Sequence, residues 1–166
     1  NVESRQPIGQ PLIGNTLAVN SVAFSLDGKI LASGSGKSWT ANAEHDGTII
    51  LWDVSTLQPI GQPLMGHEHQ VNSIAFSPDG GSLAVGDGLT GSAPGTIGLW
   101  DVQTCTRSGA IIDTGQLGRV PEGSTGDVRA LAFSPDGKQL AVGIGDAVLV
   151  IDPASRTALR DATVID

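Results

Sequence analysis

Residues 6–14 read Gln-Pro-Ile-Gly-Gln-Pro-Leu-Ile-Gly, and residues 58–66 repeat eight of the nine, with Met65 in place of Ile13. The offset of 52 residues continues downstream, where Val19-Asn-Ser-Val-Ala-Phe-Ser-Leu-Asp-Gly28 falls on Val71-Asn-Ser-Ile-Ala-Phe-Ser-Pro-Asp-Gly80. A third copy, Val128-Arg-Ala-Leu-Ala-Phe-Ser-Pro-Asp-Gly137, follows after 57 residues. A chain that repeats a unit of this length stacks one supersecondary module, so the period constrains the fold before any local propensity does.

The composition narrows the module. The 23 glycines and 9 prolines fall at turns between alternating apolar runs, and 39% of residues are hydrophobic, which predicts an all-β chain of short strands rather than disorder. Nine basic against 17 acidic residues give a net charge of −8, which argues against nucleic acid or an anionic membrane as partner. The longest apolar run, Ala147-Val-Leu-Val-Ile151, is too short to span a bilayer. No basic-then-apolar leader opens the sequence and residue 1 is Asn, so an excised piece or processed product is expected. A single cysteine, Cys105, excludes an internal disulfide framework and fits a reducing, cytoplasmic location.

The second copy shows the module most plainly. Val71–Phe76 is a strand whose strict alternation puts Val71, Ser73 and Ala75 on one side and Asn72, Ile74 and Phe76 on the other. Ser77-Pro-Asp-Gly80 turns the chain, with Gly80 in the left-handed position. Strands over Ser82–Gly86 and Thr96–Trp100 follow, and a weaker fourth lies within residues 105–112. The first copy gives Val19–Phe24, Ile30–Ser33, Thr48–Trp52 and Gln58–Leu64; the third gives Val128–Phe133, Gln139–Val142, Ala147–Ile151 and Arg156–Thr163. Four antiparallel strands per unit, with no sustained helical period, describe a propeller blade.

These residues carry a family resemblance. Gly66-His67, Val71, Phe76-Ser-Pro-Asp-Gly80 and Gly95-Thr-Ile-Gly-Leu-Trp-Asp101 resemble a WD40 repeat, and Asp46-Gly-Thr-Ile-Ile-Leu-Trp-Asp53 matches its second half. The Gly-Gln-Pro-Leu linkers are most similar to those of large bacterial WD40 proteins. The resemblance implies a ring of blades that binds proteins or peptides, with Trp52 and Trp100 in the inter-blade core. It also implies a hydrogen-bonded set of His, Ser or Thr, Asp and Trp. The first copy supplies Ser33, Asp46 and Trp52 with Asn15 in the His place. The second keeps His67 and Trp100 but has Val85 and Pro94 in the other two places, and the third has Ser124, Val142, Asp146 and Ile151. Phe24, Phe76 and Phe133 are expected to join the blade core.

The expected organisation is an all-β WD40-type propeller segment of three four-stranded blades. Residues 1–14 hold an outer fourth strand (Gln6–Leu12) of a preceding or neighbouring blade. Blade 1 spans 15–64, blade 2 spans 65–113 and blade 3 spans 114–166. Three blades are fewer than the roughly 4–8 that close a propeller. The expectation is either missing blades from the rest of a longer chain or self-association of three-blade protomers.

The long connections point to a functional face. Phe-to-Trp spacing is 28 residues in the first copy and 24 in the second, against 18 from Phe133 to Ile151 in the third. Trp100 to Val128 takes 28 residues where Trp52 to Val71 takes 19. The excess falls in Ser35–Glu44, Asp87–Pro94 and Asp113–Glu122, which blade geometry puts on one face; repeat proteins often confine insertions to the binding face. Neutral drift is the competing explanation, since lengthening a surface loop costs only ~0.6 kcal/mol per doubling. Trp39 is the candidate anchor there, because Trp is enriched at interaction hot spots, though it also suits capping its own glycine-rich loop. Asn20, Asn72 and Arg129 follow Val at equivalent strand starts, where they either line the central opening or stand solvated at strand ends.

No chemistry is expected. Gly34-Ser-Gly-Lys-Ser38 lacks the first glycine and following helix of a phosphate loop. His67-x-His69 lacks further ligands for a metal, and Asp87-Gly-Leu-Thr-Gly91 has too few oxygens for calcium. Asp27, Asp79 and Asp136 belong to turns, and Cys105 has no adjacent base. The expected function is therefore a non-catalytic scaffold or sensor without cofactor or metal, binding a protein or peptide.

Overall fold

A computed structural model describes residues 3–36, 47–67, 69–88, 94–117 and 126–159. Blade 1 is built from β1 (Val19–Phe24), β2 (Ile30–Ser35) and β3 (Gly47–Asp53), with β4 (Gln58–Pro59) and β5 (Leu64–His67) both pairing with β3. Blade 2 repeats this with β6 (Val71–Phe76), β7 (Ser82–Asp87) and β8 (Thr96–Asp101), and with β9 (Thr106–Arg107) and β10 (Ile112–Asp113) on β8. Blade 3 consists of β11 (Val128–Phe133), β12 (Leu140–Ile144), β13 (Ala147–Asp152) and β14 (Thr157–Ala158). Every pairing is antiparallel. The three sheets stand side by side with β1, β6 and β11 innermost, as expected for part of a propeller. The one helical element among the described residues is a 3-10 turn over Thr114–Leu117, and no helix there is long and apolar enough to cross a membrane.

The expected strands form with small shifts at their ends, and the outer strand differs. Gln58–Leu64 is not continuous but splits into β4 and β5. Gly61 between them adopts φ +66 and Pro63 has no N–H to give a ladder, so the pairing with β3 breaks and then resumes. Gln6–Leu12, expected as a strand, forms none. An outer strand needs a third strand to pair with, and none stands beside it among the described residues.

Turn chemistry fixes the hairpins. In the β1–β2, β6–β7 and β11–β12 turns, Ser25, Ser77 and Ser134 donate their hydroxyls to Asp27, Asp79 and Asp136. The same carboxylates accept the backbone N–H of the residue two positions on. Gly28, Gly80 and Gly137 take φ of +69, +72 and +71, the left-handed region that favours glycine. Asp53, Asp101 and Asp152 cap the turns after β3, β8 and β13 in a similar way. Hydrogen bonds to the ionised form hold all six carboxyls below the usual aspartate value.

The inner strands do not keep strict alternation. A bulge shifts the register between Val19 and Ser21, Val71 and Ser73, and Val128 and Ala130. It turns Val71 to the same side as Ile74, against blade 1. There Val71 sits on Gly34, so close that a Cβ at that glycine would lie 2.5 Å from Val71 Cγ1. Val128 and Leu131 close on Gly86 in the same way. Two apolar cores result. One joins blades 1 and 2 through Ile49, Leu51, Val71, Ile74, Leu83 and Trp100. The other joins blades 2 and 3 through Ile97, Val128, Leu140 and Ile151.

Candidate functional site

The enlarged connections spring from stubs that the fold fixes on one side of the stack. Gly36 N–H donates to Ala18 O, and Gly88 N–H to Gln70 O. Gly36 lies so close to Gln70 that a Cβ would come within 2.5 Å of its Cα. Gly95 N–H donates to Gly126 O, and the buried hydroxyl of Thr114 reaches both Gly95 O and Gly126 O at 2.8 Å. The ends of the β2–β3 and β7–β8 connections are thus hydrogen-bonded to the start of their own inner strand and packed on the next one, and the ends of the blade 2–blade 3 connection are tied to Gly95. The connections between these stubs, including Trp39 and Asp46, lie outside the described residues.

Asn20 and Asn72 have a structural task at this face. Asn20 Nδ2 donates to Val71 O at 3.1 Å and Gly36 O at 3.4 Å. Asn72 Nδ2 donates to Val128 O and Gly88 O, both at 3.1 Å. Each amide therefore latches its blade to the following one, while the adjacent serine accepts a backbone bond from the same neighbour: Ile74 N–H to Ser21 Oγ, and Leu131 N–H to Ser73 Oγ. Arg129 occupies the equivalent position in blade 3; its Nε donates to the buried carboxylate of Asp127 at 2.8 Å, and the guanidinium is half exposed.

The polar sets beneath the face differ between blades. In blade 1, Trp52 Nε1 donates to Ser33 Oγ at 2.9 Å and Asn15 Nδ2 donates to the same oxygen at 2.9 Å, so Asn does stand in the His place. Trp52 is buried beneath Gly14 of the N-terminal segment, whereas Trp100 is buried within the core between blades 1 and 2. In blade 2 the His67 and Trp100 rings tilt against each other at 5.7 Å. Val85, in the serine place, offers neither a hydroxyl. His67 Nδ1 turns instead to Asp87 Oδ2 at 3.4 Å, both side chains buried. Asp87 Oδ1 accepts the N–H and hydroxyl of Thr96 at 2.8 Å each.

Three further residues were not singled out from the sequence. Asp87 read as the first loop residue, because the matching position in blade 1 is Ser35; an acidic residue at the end of an apolar strand was the available signal. Thr114 and Asp127 flank the long link, and nothing in their neighbourhood marks them as buried.

Phe24, Phe76 and Phe133, expected in the blade core, are not fully enclosed. Phe24 is 62% exposed because its side of β1 has no sheet against it, and Phe76 and Phe133 pack at the edges of the two cores. The three rings meet Leu26, Pro78 and Pro135 around a cavity of about 330 Å³ on the opposite, tight-turned face.

A family model described as "WD domain, G-beta repeat" matches residues 6–53, 58–101 and 115–151. The chain is 32% identical over 130 residues to a guanine nucleotide-binding protein subunit beta of Arabidopsis thaliana, covering 78% of this chain and 29% of that protein. It is 32% identical over 147 residues to a periodic tryptophan protein 2 homolog of Schizosaccharomyces pombe, covering 87% of this chain and 15% of that one. The chain thus spans less than a third of either relative. The crystal structure of RRP9 WD40 repeats superposes with a TM-score of 0.68 over 90% of this chain and 39% of that one, at 22% identity, which shows a shared fold.

Proposed function

This chain belongs to the WD40-repeat family, and we propose that it is a non-catalytic scaffold holding a protein or peptide against the face that carries its enlarged connections. The observation that carries this reading is the anchoring of those connections. Buried Thr114 and the close-packed Gly36 and Gly88 hold their ends on a stack of latched sheets. Fixed stubs lower the ordering cost of binding, which is what a scaffold contributes to affinity. Trp39 and Arg129 are the proposed contacts, with Asn20 and Asn72 supporting them by fixing the strand starts beneath. One relative is by name a subunit of a larger assembly, which fits a protein partner. The net charge of −8 supports a partner other than nucleic acid or membrane, the single cysteine supports a cytoplasmic location, and the Gly-Gln-Pro-Leu linkers support a bacterial affiliation.

Panning a random peptide display library on the folded chain tests this. Selected peptides are expected to lose binding to a Trp39→Ala/Arg129→Ala double variant and to keep it for Lys29→Ala, which lies in a tight turn of the other face. Binding that ignores the double variant but fails with Lys29→Ala rejects the proposed face.

A further inference from the structure

The chain builds the same junction twice and carries both halves of a third. In the first junction Val71 and Ile74 pack on Gly34 and share a core with Ile49, the residue paired across the strands with Gly34. In the second, Val128 and Leu131 pack on Gly86 and share a core with Ile97, the cross-strand partner of Gly86. Among the described residues, the equivalents at the two ends of the stack have no such mate. Val19 and Val22 of blade 1 are 49% and 62% exposed. Gly143 of blade 3 has only Ala130 of its own blade near it, and its cross-strand partner Val148 is 66% exposed where Ile49 and Ile97 are 0%.

We propose that a second copy of this chain docks head to tail, with Val19 of its blade 1 seated on Gly143 and Val22 beside Val148. Continuity with the two internal junctions supplies the geometry, since the same side-chain types stand at the same positions. The N-terminal segment supplies a second match. Leu64–His67 lies beside Trp100 of blade 2 while its backbone pairs with β3 of blade 1, Leu64 opposite Ile49 and His67 opposite Gly47. Leu12–Asn15 has the corresponding place beside Ser33 and Trp52, and no strand among the described residues pairs with it. Across the proposed junction its partner strand is β13, and Leu12 falls opposite Val148.

Two copies make six blades, within the roughly 4–8 that close a ring, and closure covers both open ends at once. The new junction is weaker than the internal ones. The serine that accepts the next blade's N–H in blades 1 and 2 is Ala130 in blade 3, and the latching asparagine is Arg129. The dimer is therefore expected to dissociate on dilution.

Sedimentation equilibrium of the 166-residue protein tests the proposal. A reversible dimer is expected, and Val22→Lys or Val148→Lys should each weaken it at least about 100-fold by burying an unpaired ammonium. Both side chains are exposed in the single chain, so at concentrations dilute enough for the parent to be monomeric the variants should melt as it does. Mixing the two variants should recover association, because one unaltered junction survives in the mixed pair. A monomer at about 100 µM, a dimer indifferent to both lysines, or a mixture that fails to associate would overturn the proposal.

Discussion

Trp52 and Ser33 are joined by a 2.9 Å hydrogen bond from indole to hydroxyl, and the matching residues of blade 2, Trp100 and Val85, cannot be. Among the described residues, Trp100 Nε1 and His67 Nε2 are both buried without a hydrogen-bond partner. Val85→Thr keeps one methyl in the core and places a hydroxyl where Ser33 has its own. It is expected to stabilise the protein by about 1 kcal/mol, and Ser33→Val to destabilise it by about 1–3 kcal/mol. Urea titration of both variants checks the pair; a loss on Val85→Thr would show that the two buried nitrogens are satisfied in another way.

Close packing at the glycines gives a second contrast. Gly34→Ala drives a methyl into Val71 and should cost about 1–3 kcal/mol, as overpacking does. Gly143→Ala meets only Ala130 of its own blade at 3.2 Å, so its melting temperature should fall much less. Equal effects in thermal melts at low protein concentration would contradict the packing described.

Acid should weaken the turns. All six turn aspartates are held below their ordinary value of 3.8, so their stabilising contribution is complete above that pH and is lost as pH falls through the lower folded-state values. The melting temperature should therefore drop on acidification below about pH 4. Replacing Asp27, Asp79 and Asp136 together by Asn should lower it at neutral pH and flatten that dependence. An unchanged acid limb in the triple variant would assign the sensitivity elsewhere.

The asparagine latch predicts where protection from exchange depends on a neighbour. Asn72→Ala removes two bonds, to Val128 O and Gly88 O, and should cost about 1–3 kcal/mol. Amide hydrogen exchange should then accelerate in β11 and at residues 86–88 more than in β1 and β2. Uniform acceleration across all three blades would mean that the latch supports the whole stack rather than one junction.

The sequence disclosed the blades because the signals there are local. The Ser-x-Asp-Gly turns and the apolar runs before them place β1, β6 and β11 directly, and Trp52, Trp100, His67 and Ser33 are buried. What it hid depends on contacts between units. The bulge that turns Val71 toward Gly34 has no signature within its own strand. Asn20 and Asn72 look like solvated strand ends until the next blade's carbonyls stand beside them. Phe24 is exposed for a related reason: its strand copies Phe76 and Phe133, but burial depends on a neighbour that copying does not supply. The proposed contact face was legible only as loop lengths, which fix where the connections lie and leave their side chains open.

Since every valine-on-glycine junction is assembled from the front of one unit and the back of the unit before it, a unit copied whole arrives with both mates already waiting. A tandem duplication of residues 19–70 would therefore lengthen the stack without a single compensating change. Blade number in such a chain can change in one genetic step, and selection is left to decide only whether the larger circle still closes.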